Sequence, residues 1–366
     1  MASPATTLSG FARAPHPAPR GQDERAAILA NPGFGTTFTD HMVEIDYDAE
    51  QGWHNARVVP YGPIALDPAA AVLHYAQEIF EGLKAYRLGD GGIALFRPHA
   101  NAARFNASAR RLAMPELPED LFVEAVRQQV LADSDWFPTV EGGSLYLRPF
   151  MFASEAFLGV RPARTYKFLV IASPAGNYFK SGAPAVSIWV SDYTRAAPGG
   201  TGAAKCGGNY ASSLVPTAEA FARGHDQVLF LDAAEHRWIE ELGGMNLFFV
   251  FADGSIVTPP LGGTILPGIT RDSLIALARE EGLTVREERY ALDQWRADAA
   301  SGKLVETFAC GTAAVVTPVG KVADGSSEFV IGSGGPGQLT QKLRQRLVSI
   351  QRGEVADTHG WVHRLT

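Results

Sequence analysis

Glu241-Leu242-Gly243-Gly244-Met245-Asn246-Leu247-Phe248 is an apolar, strand-like run that opens on a carboxylate and is interrupted by glycines. A carboxylate in such a segment is costly to bury unless a cation sits beside it. Glu241 therefore reads either as half of an ion pair with an arginine or as a functional acid. Upstream lies Gly199-Gly200-Thr201-Gly202-Ala203-Ala204-Lys205-Cys206-Gly207-Gly208-Asn209-Tyr210, one lysine among small residues that let another molecule approach the backbone. An amine kept from bulk water tends toward its neutral, nucleophilic form; the plainer reading is a surface loop with a solvated lysine. Downstream, Ile265-Leu266-Pro267-Gly268-Ile269-Thr270-Arg271 turns on glycine into a helix. Its first N–H groups and the Thr270 hydroxyl would make either an anion site or a plain N-cap. Cys310-Gly311-Thr312-Ala313 ends a strand in small residues and could do the same, or simply turn the chain.

An amine, an acid and an anion cup are together what pyridoxal phosphate requires of a protein. The totals are compatible with a small-molecule enzyme. At 366 residues the chain exceeds the usual single core, so two domains are expected. A net charge of -7 without a dense basic run argues against nucleic acid as the main partner. Two cysteines cannot build a disulfide framework, which points to a reducing cytoplasm, and no apolar run reaches membrane-spanning length.

Mixed strands and helices in both halves predict an α/β or α+β protein. Residues 1–32 read as a variable, disordered tail, with order beginning near Gly33. Residues 33–173 form a smaller domain, 174–184 an interdomain loop and 185–366 a larger domain. Strands are expected at 37–46, 56–60, 82–86, 93–96, 144–152, 166–173, 185–193, 227–232, 245–251 and 303–310. Helices are expected from Pro98, and over 118–131, 210–223, 270–281 and 336–350, with Arg104 off the apolar stripe of the first.

Gly332-Ser333-Gly334-Gly335-Pro336-Gly337 follows a strand and precedes a helix, as in a dinucleotide fingerprint. Too little chain follows for the second strand and acidic ribose ligand of that fold, so a nicotinamide oxidoreductase is the outlying alternative. His359 and His363 are four apart, but Gly360 and the nearby terminus argue for a solvated tail. No metal site is expected.

The run from Glu241 to Phe248, then Ile256-Val257-Thr258, then Leu266-Pro267-Gly268-Ile269-Thr270-Arg271, resembles the signature of class IV pyridoxal-phosphate aminotransferases. Phe34-Gly35 with Phe38–Met42, Phe80-Glu81-Gly82-Leu83-Lys84-Ala85 and Ser144–Pro149 resemble the branched-chain aminotransferase family in particular. The likeness runs from about Phe34 to the C-terminal helix. It implies the two-domain class IV fold, a homodimer, pyridoxal 5'-phosphate as cofactor, and amino transfer between Leu, Ile or Val and 2-oxoglutarate. D-amino acid transamination and aminodeoxychorismate lysis are the rivals that share the fold.

By the same resemblance Lys205 is the Schiff-base lysine, Tyr210 bonds the cofactor's phenolic oxygen and Glu241 pairs with the pyridine nitrogen. Arg104, Gly268, Ile269, Thr270 and Thr312 hold the phosphate, and Leu266 packs on the ring. Phe34, Tyr75, Phe80, Tyr146 and Tyr178 line the substrate pocket, while Val160 reaches into the neighbouring subunit. Arg148 takes the second carboxylate of glutamate, and the Thr312 and Ala313 amides the α-carboxylate. Tyr146 and Arg148 are two apart on a strand and so share a face. Gly244 stands where some family members carry a hydroxyl residue. The run 310–317 lacks Cys-x-x-Cys, so no thiol switch is expected there.

Overall fold

The computed structural model describes residues 10–176 and 185–366. The described residues form two compact units. One holds those of Met1–Tyr178 together with Ala204–Gly207 and Gln351–Thr366; the other holds those of Phe179–Ala203 and Gly208–Ile350. Each has its own hydrophobic core. Among the described residues no helix is long and apolar enough to cross a membrane.

The first unit is built on a nine-stranded sheet whose centre is Ser144–Ala153 paired antiparallel with Thr165–Ala175. Leu145 and Leu147 are fully buried on one face, while Tyr146 and Arg148 are half-buried on the other, as period-two alternation requires. Two short strands, Glu78–Phe80 and Leu83–Arg87, both pair with Ser144–Ala153. The break between them is Glu81-Gly82, where the Glu81 N–H donates to the Pro149 carbonyl at 2.7 Å. Helices Pro98–Arg111 and Glu119–Ala132 bury Phe105, Phe122 and Val126 against this sheet.

The second unit has a mixed nine-stranded sheet containing Val186–Val190, Gln227–Leu231, Ile239–Leu242, Asn246–Phe251, Leu304–Gly311 and Val315–Ala323. Phe249, Tyr290 and Trp295 meet edge-on or tilted in its core, with ring centroids 4.7 and 5.0 Å from Phe249.

The structure departs from the sequence reading at three places. The expected tail contains strand Ala12–Arg13, parallel to Arg57 and Val58, and helix Gln22–Ala30, which buries Leu29. At the other end, the expected solvated tail forms strand Val362–Arg364, which closes the first unit's sheet against Ile93–Phe96. His359 stacks on Trp361 and His363 meets His99 edge-on, and no metal-holding cluster occurs among the described residues. Ala204–Gly207 and the last sixteen residues belong to the first unit rather than to a continuous 185–366 domain. Hydrogen-bonded pairing of distant segments, invisible to local periodicity, places both terminal strands and the Lys205–Cys206 segment. The expected helix 210–223 is also interrupted, as Gly207–Ala211 and Leu214–Ala222.

Candidate active site

In the first unit the site is organised on a buried acid that the sequence reading had passed over. Glu81 is fully buried and accepts from Arg104 Nε at 2.7 Å and Arg104 Nη2 at 2.8 Å, a bidentate pair. Asn101 Nδ2 and the Gly82 N–H complete its shell at 2.7 and 3.1 Å. Asn101, Arg104 and Ser108 are three and four places apart, so one helix face carries all three toward Glu81 and Lys205. That polar stripe was the available signal. Burial alone would raise the Glu81 carboxyl, but the charges of Arg104 and Lys205 and the hydrogen bonds hold it below its ordinary range.

Lys205 is anchored through its backbone. Its N–H donates to Ser108 Oγ at 2.9 Å and its carbonyl accepts from the Phe80 N–H at 2.9 Å. Ile79 and Cys206 form a bridge beside this contact. A Cβ on Gly207 would fall 1.8 Å from Glu78 Oε1, so any other residue would require the Glu78 carboxylate to move. Burial raises the Glu78 carboxyl, partly offset by the Gly207 N–H and the charge of Arg148.

Phe80 has a cation on either hand: Lys205 Nζ is 4.9 Å and the Arg148 guanidinium carbon 4.7 Å from its ring centroid. Arg148 Nη2 donates to the Tyr146 hydroxyl at 3.1 Å, and Phe34 meets the Tyr146 ring edge-on at 5.0 Å. The buried Nε of Arg148 has no hydrogen-bond partner among the described residues. Aromatic walls thus surround a guanidinium with a donor to spare. Phe34, Phe80, Tyr146, Arg148, Arg104 and Lys205 belong to this constellation. Tyr75 instead donates to the Leu158 carbonyl in a second, exposed cluster, where Val160 is 89% exposed. Tyr178 lies outside the described residues.

In the second unit Glu241, 3% exposed, pairs with the buried Arg195. The ion-pair reading of Glu241 is therefore realised, and Arg195 is a further residue the sequence had not marked. Glu241 Oε1 also accepts the Leu266 N–H at 3.1 Å, and Arg195 Nη2 donates to the carbonyls of Gly202 and Thr264 at 3.2 and 2.7 Å. Asn246 Nδ2 holds the Leu266 carbonyl at 3.1 Å, and a Cβ on Gly268 would lie 2.0 Å from Asn246 Oδ1. These bonds lace the loop to the sheet and deliver it into helix Ile269–Glu280 with Gly268 extended at the N-cap. Thr270 is buried in its first turn, whose N–H groups are arranged to attract an anion. Thr312 and Ala313 form a half-buried turn beyond Leu304–Gly311, and Tyr210 lies in the short helix Gly207–Ala211. Gly244 is exposed, and a Cβ added there would meet nothing within 4 Å, so a side chain would have room.

The glycine motif at Gly332–Gly337 is not a nucleotide cradle. Glu306 accepts the N–H groups of Leu339 and Thr340 at 3.0 and 2.8 Å and the Thr340 hydroxyl at 2.7 Å, so its own carboxylate caps helix Gln338–Gln351. A Cβ on Gly337 would sit 1.9 Å from that carboxyl carbon, which explains the glycine. Cys206 and Cys310 are both free and buried, and burial pushes the Cys310 thiol up.

The chain is similar to known proteins over most of its length. A model of the family described as amino-transferase class IV matches residues 78–322. A branched-chain-amino-acid aminotransferase of Mycolicibacterium smegmatis is 60% identical over 346 residues, 93% of this chain and 94% of that protein. Among solved structures, the Escherichia coli branched-chain amino acid aminotransferase aligns with a TM-score of 0.76 at 30% identity, over 89% of this chain and 99% of that one. The branched-chain aminotransferase of the archaeon Thermoproteus uzoniensis, solved with norvaline, gives 0.75 at 26% identity, over 89% and 100%. This chain belongs to the class IV aminotransferases, within their branched-chain-amino-acid aminotransferase family.

Proposed function

We propose that this transaminase moves the amino group of branched-chain L-amino acids to 2-oxoglutarate, in both directions and by alternating half-reactions, with pyridoxal phosphate as cofactor. The observation that carries the substrate reading is Arg148, set among Phe34, Phe80 and Tyr146 with its buried Nε unpartnered among the described residues. One pocket must take both an apolar and an acidic side chain. Aromatic walls favour the first at about 0.8 kcal/mol per methylene, and a guanidinium favours the second through a charge-assisted bond.

The donor set fits the cofactor: a lysine amine, a carboxylate paired with a buried arginine, and a helix N-terminus with a threonine. Bound pyridoxal phosphate supplies an electrophilic carbon for the substrate amine and a ring that delocalises the electron pair left at Cα. Lys205 Nζ takes the proton from Cα and returns it on the other side of the exchange. Glu241, paired with Arg195, would face the ring nitrogen and favour its protonated form. Arg104, Gly268, Ile269, Thr270 and Thr312 would hold its phosphate, Tyr210 would hydrogen-bond its phenolic oxygen, and Leu266 would pack on its ring. The Thr312 and Ala313 amides would take the α-carboxylate, and Tyr178 belongs to the pocket by the family likeness, whereas Tyr75 is held in the exposed cluster with Leu158. Exposed Leu73, Leu158 and Val160 support a homodimer in which Val160 serves the neighbouring site.

A panel of L-leucine, D-alanine and aminodeoxychorismate tests the reading, with L-leucine expected to be turned over by far the best. A preference for either rival would reject it. Lys205→Ala should lose turnover and the visible absorption of the bound cofactor, and retention of either removes Lys205 from its role.

A further inference from the structure

Strand Ile239–Leu242 carries two glutamates in succession, and neighbours on a strand point to opposite faces. Glu241 pairs with the buried Arg195, as described above. Glu240 lines a separate cavity of about 270 Å³, walled also by Asp232, Glu235, Trp238, Pro259, Pro260, Ile265 and Arg289; the Asp232 carboxylate is taken up by the backbone N–H groups of Ala234, Glu235, Arg237 and Trp238. Glu240 is only 8% exposed, and Thr264 donates to its Oε1 at 2.5 Å. Its Oε2 has no hydrogen-bond partner among the described residues, nor has the Nε1–H of Trp238 in the same wall. Burial holds the Glu240 carboxyl above its ordinary range, offset in part by Thr264 and the charge of Arg195. The Arg289 guanidinium lies 5.7 Å from the Trp238 ring centroid and 4.0 Å from the Glu235 carboxylate.

The cavity therefore presents a buried acceptor without a donor and a buried donor without an acceptor. It also has a cation beside that donor and an apolar lining of prolines and Ile265. Each unsatisfied buried group is destabilising by itself. Of the two unpartnered groups, a simple amine would answer only Glu240 and a simple carboxylate only Trp238. We propose that this cavity binds a small α-amino acid as its zwitterion, apart from the residues of the transfer reaction. Its ammonium donates to Glu240 and its carboxylate accepts from Trp238 Nε1–H and Arg289. Its side chain lies on Pro259, Pro260 and Ile265. The volume is near the lower end for small-molecule sites, which limits the side chain to a few carbons.

The test uses the full-length, cofactor-loaded enzyme and 2-aminoisobutyrate, which has no Cα hydrogen and so cannot complete amino transfer. The chain has six tryptophans, so the signal is the emission of wild type minus that of Trp238→Phe. This difference should change saturably with 2-aminoisobutyrate. Isobutyrate and isopropylamine, each carrying one of the two charges, should bind at least tenfold more weakly. Glu240→Gln and, independently, the exposed-site variant Arg289→Ala should each raise the apparent Kd about tenfold, the scale of one charge-assisted bond. The absence of a saturable difference signal, equal binding of a one-charge probe, or an unchanged Kd in both variants overturns the proposal.

Discussion

Gly82→Ala isolates the arginine arm of the substrate pocket without touching it directly. Gly82 has no left-handed backbone, so alanine is tolerated by the main chain and the effect is steric. The added Cβ would lie 2.2 Å from the Tyr146 hydroxyl and 3.0 Å from its ring carbon Cζ. Ordinary contact requires the hydroxyl to retreat by more than about 1 Å. That hydroxyl accepts from Arg148 Nη2 at 3.1 Å, so the retreat breaks the bond and frees the guanidinium. A hydrogen bond to a charged group contributes about 1.5–3 kcal/mol. If Arg148 receives the second carboxylate, kcat/KM for 2-oxoglutarate or glutamate should fall roughly 10- to 150-fold, since each 1.4 kcal/mol is tenfold. L-Leucine, which makes no use of the guanidinium, should lose less than about fivefold, the residual effect of moving one aromatic wall. The assay is single-turnover kinetics of the two half-reactions measured separately. Equal losses for leucine and glutamate, or no loss for glutamate, would refute this account of Arg148 and Tyr146.

Two further perturbations test the buried ion pairs. Glu81→Gln leaves Arg104 buried without its counter-charge, and unfolding by denaturant at pH 7 should show a loss of about 3–5 kcal/mol. The folded Glu81 carboxyl is held below its ordinary range, so its contribution is present above the unfolded value of about 4.3 and lost as pH falls toward the folded one. The stability gap between wild type and Glu81→Gln should therefore narrow on acidification below that value, and a gap that widens would reverse the sign argued here. Glu241→Gln should retain cofactor absorbance while the proton shift at Cα slows at least a hundredfold in single turnovers; wild-type rates would remove the assigned role.

Much of the site was readable along the chain because its chemistry is written in local spacing. Lys205 among glycines, Gly268 before a helix, and Tyr146 and Arg148 two apart on a strand stand out by periodicity and backbone freedom, while the roles proposed for them come from the family resemblance. What stayed hidden were the partners. Glu81 stood just before an expected strand with no role of its own, yet it occupies the break between two strands, and its charge is met by a residue 23 positions away. Arg195 had no motif, and it reaches Glu241 across 46 positions.

The same division holds for the architecture. Residue types and periods dictate that strands and helices alternate in both halves, since amphipathic patterning is set by neighbours in sequence. Only the tertiary structure could assign Ala204–Gly207 and the last sixteen residues to the first unit, and bring strand Ala12–Arg13 onto its sheet. Those choices depend on which backbone edges are open and which buried charges need partners, and both are properties of the assembled core.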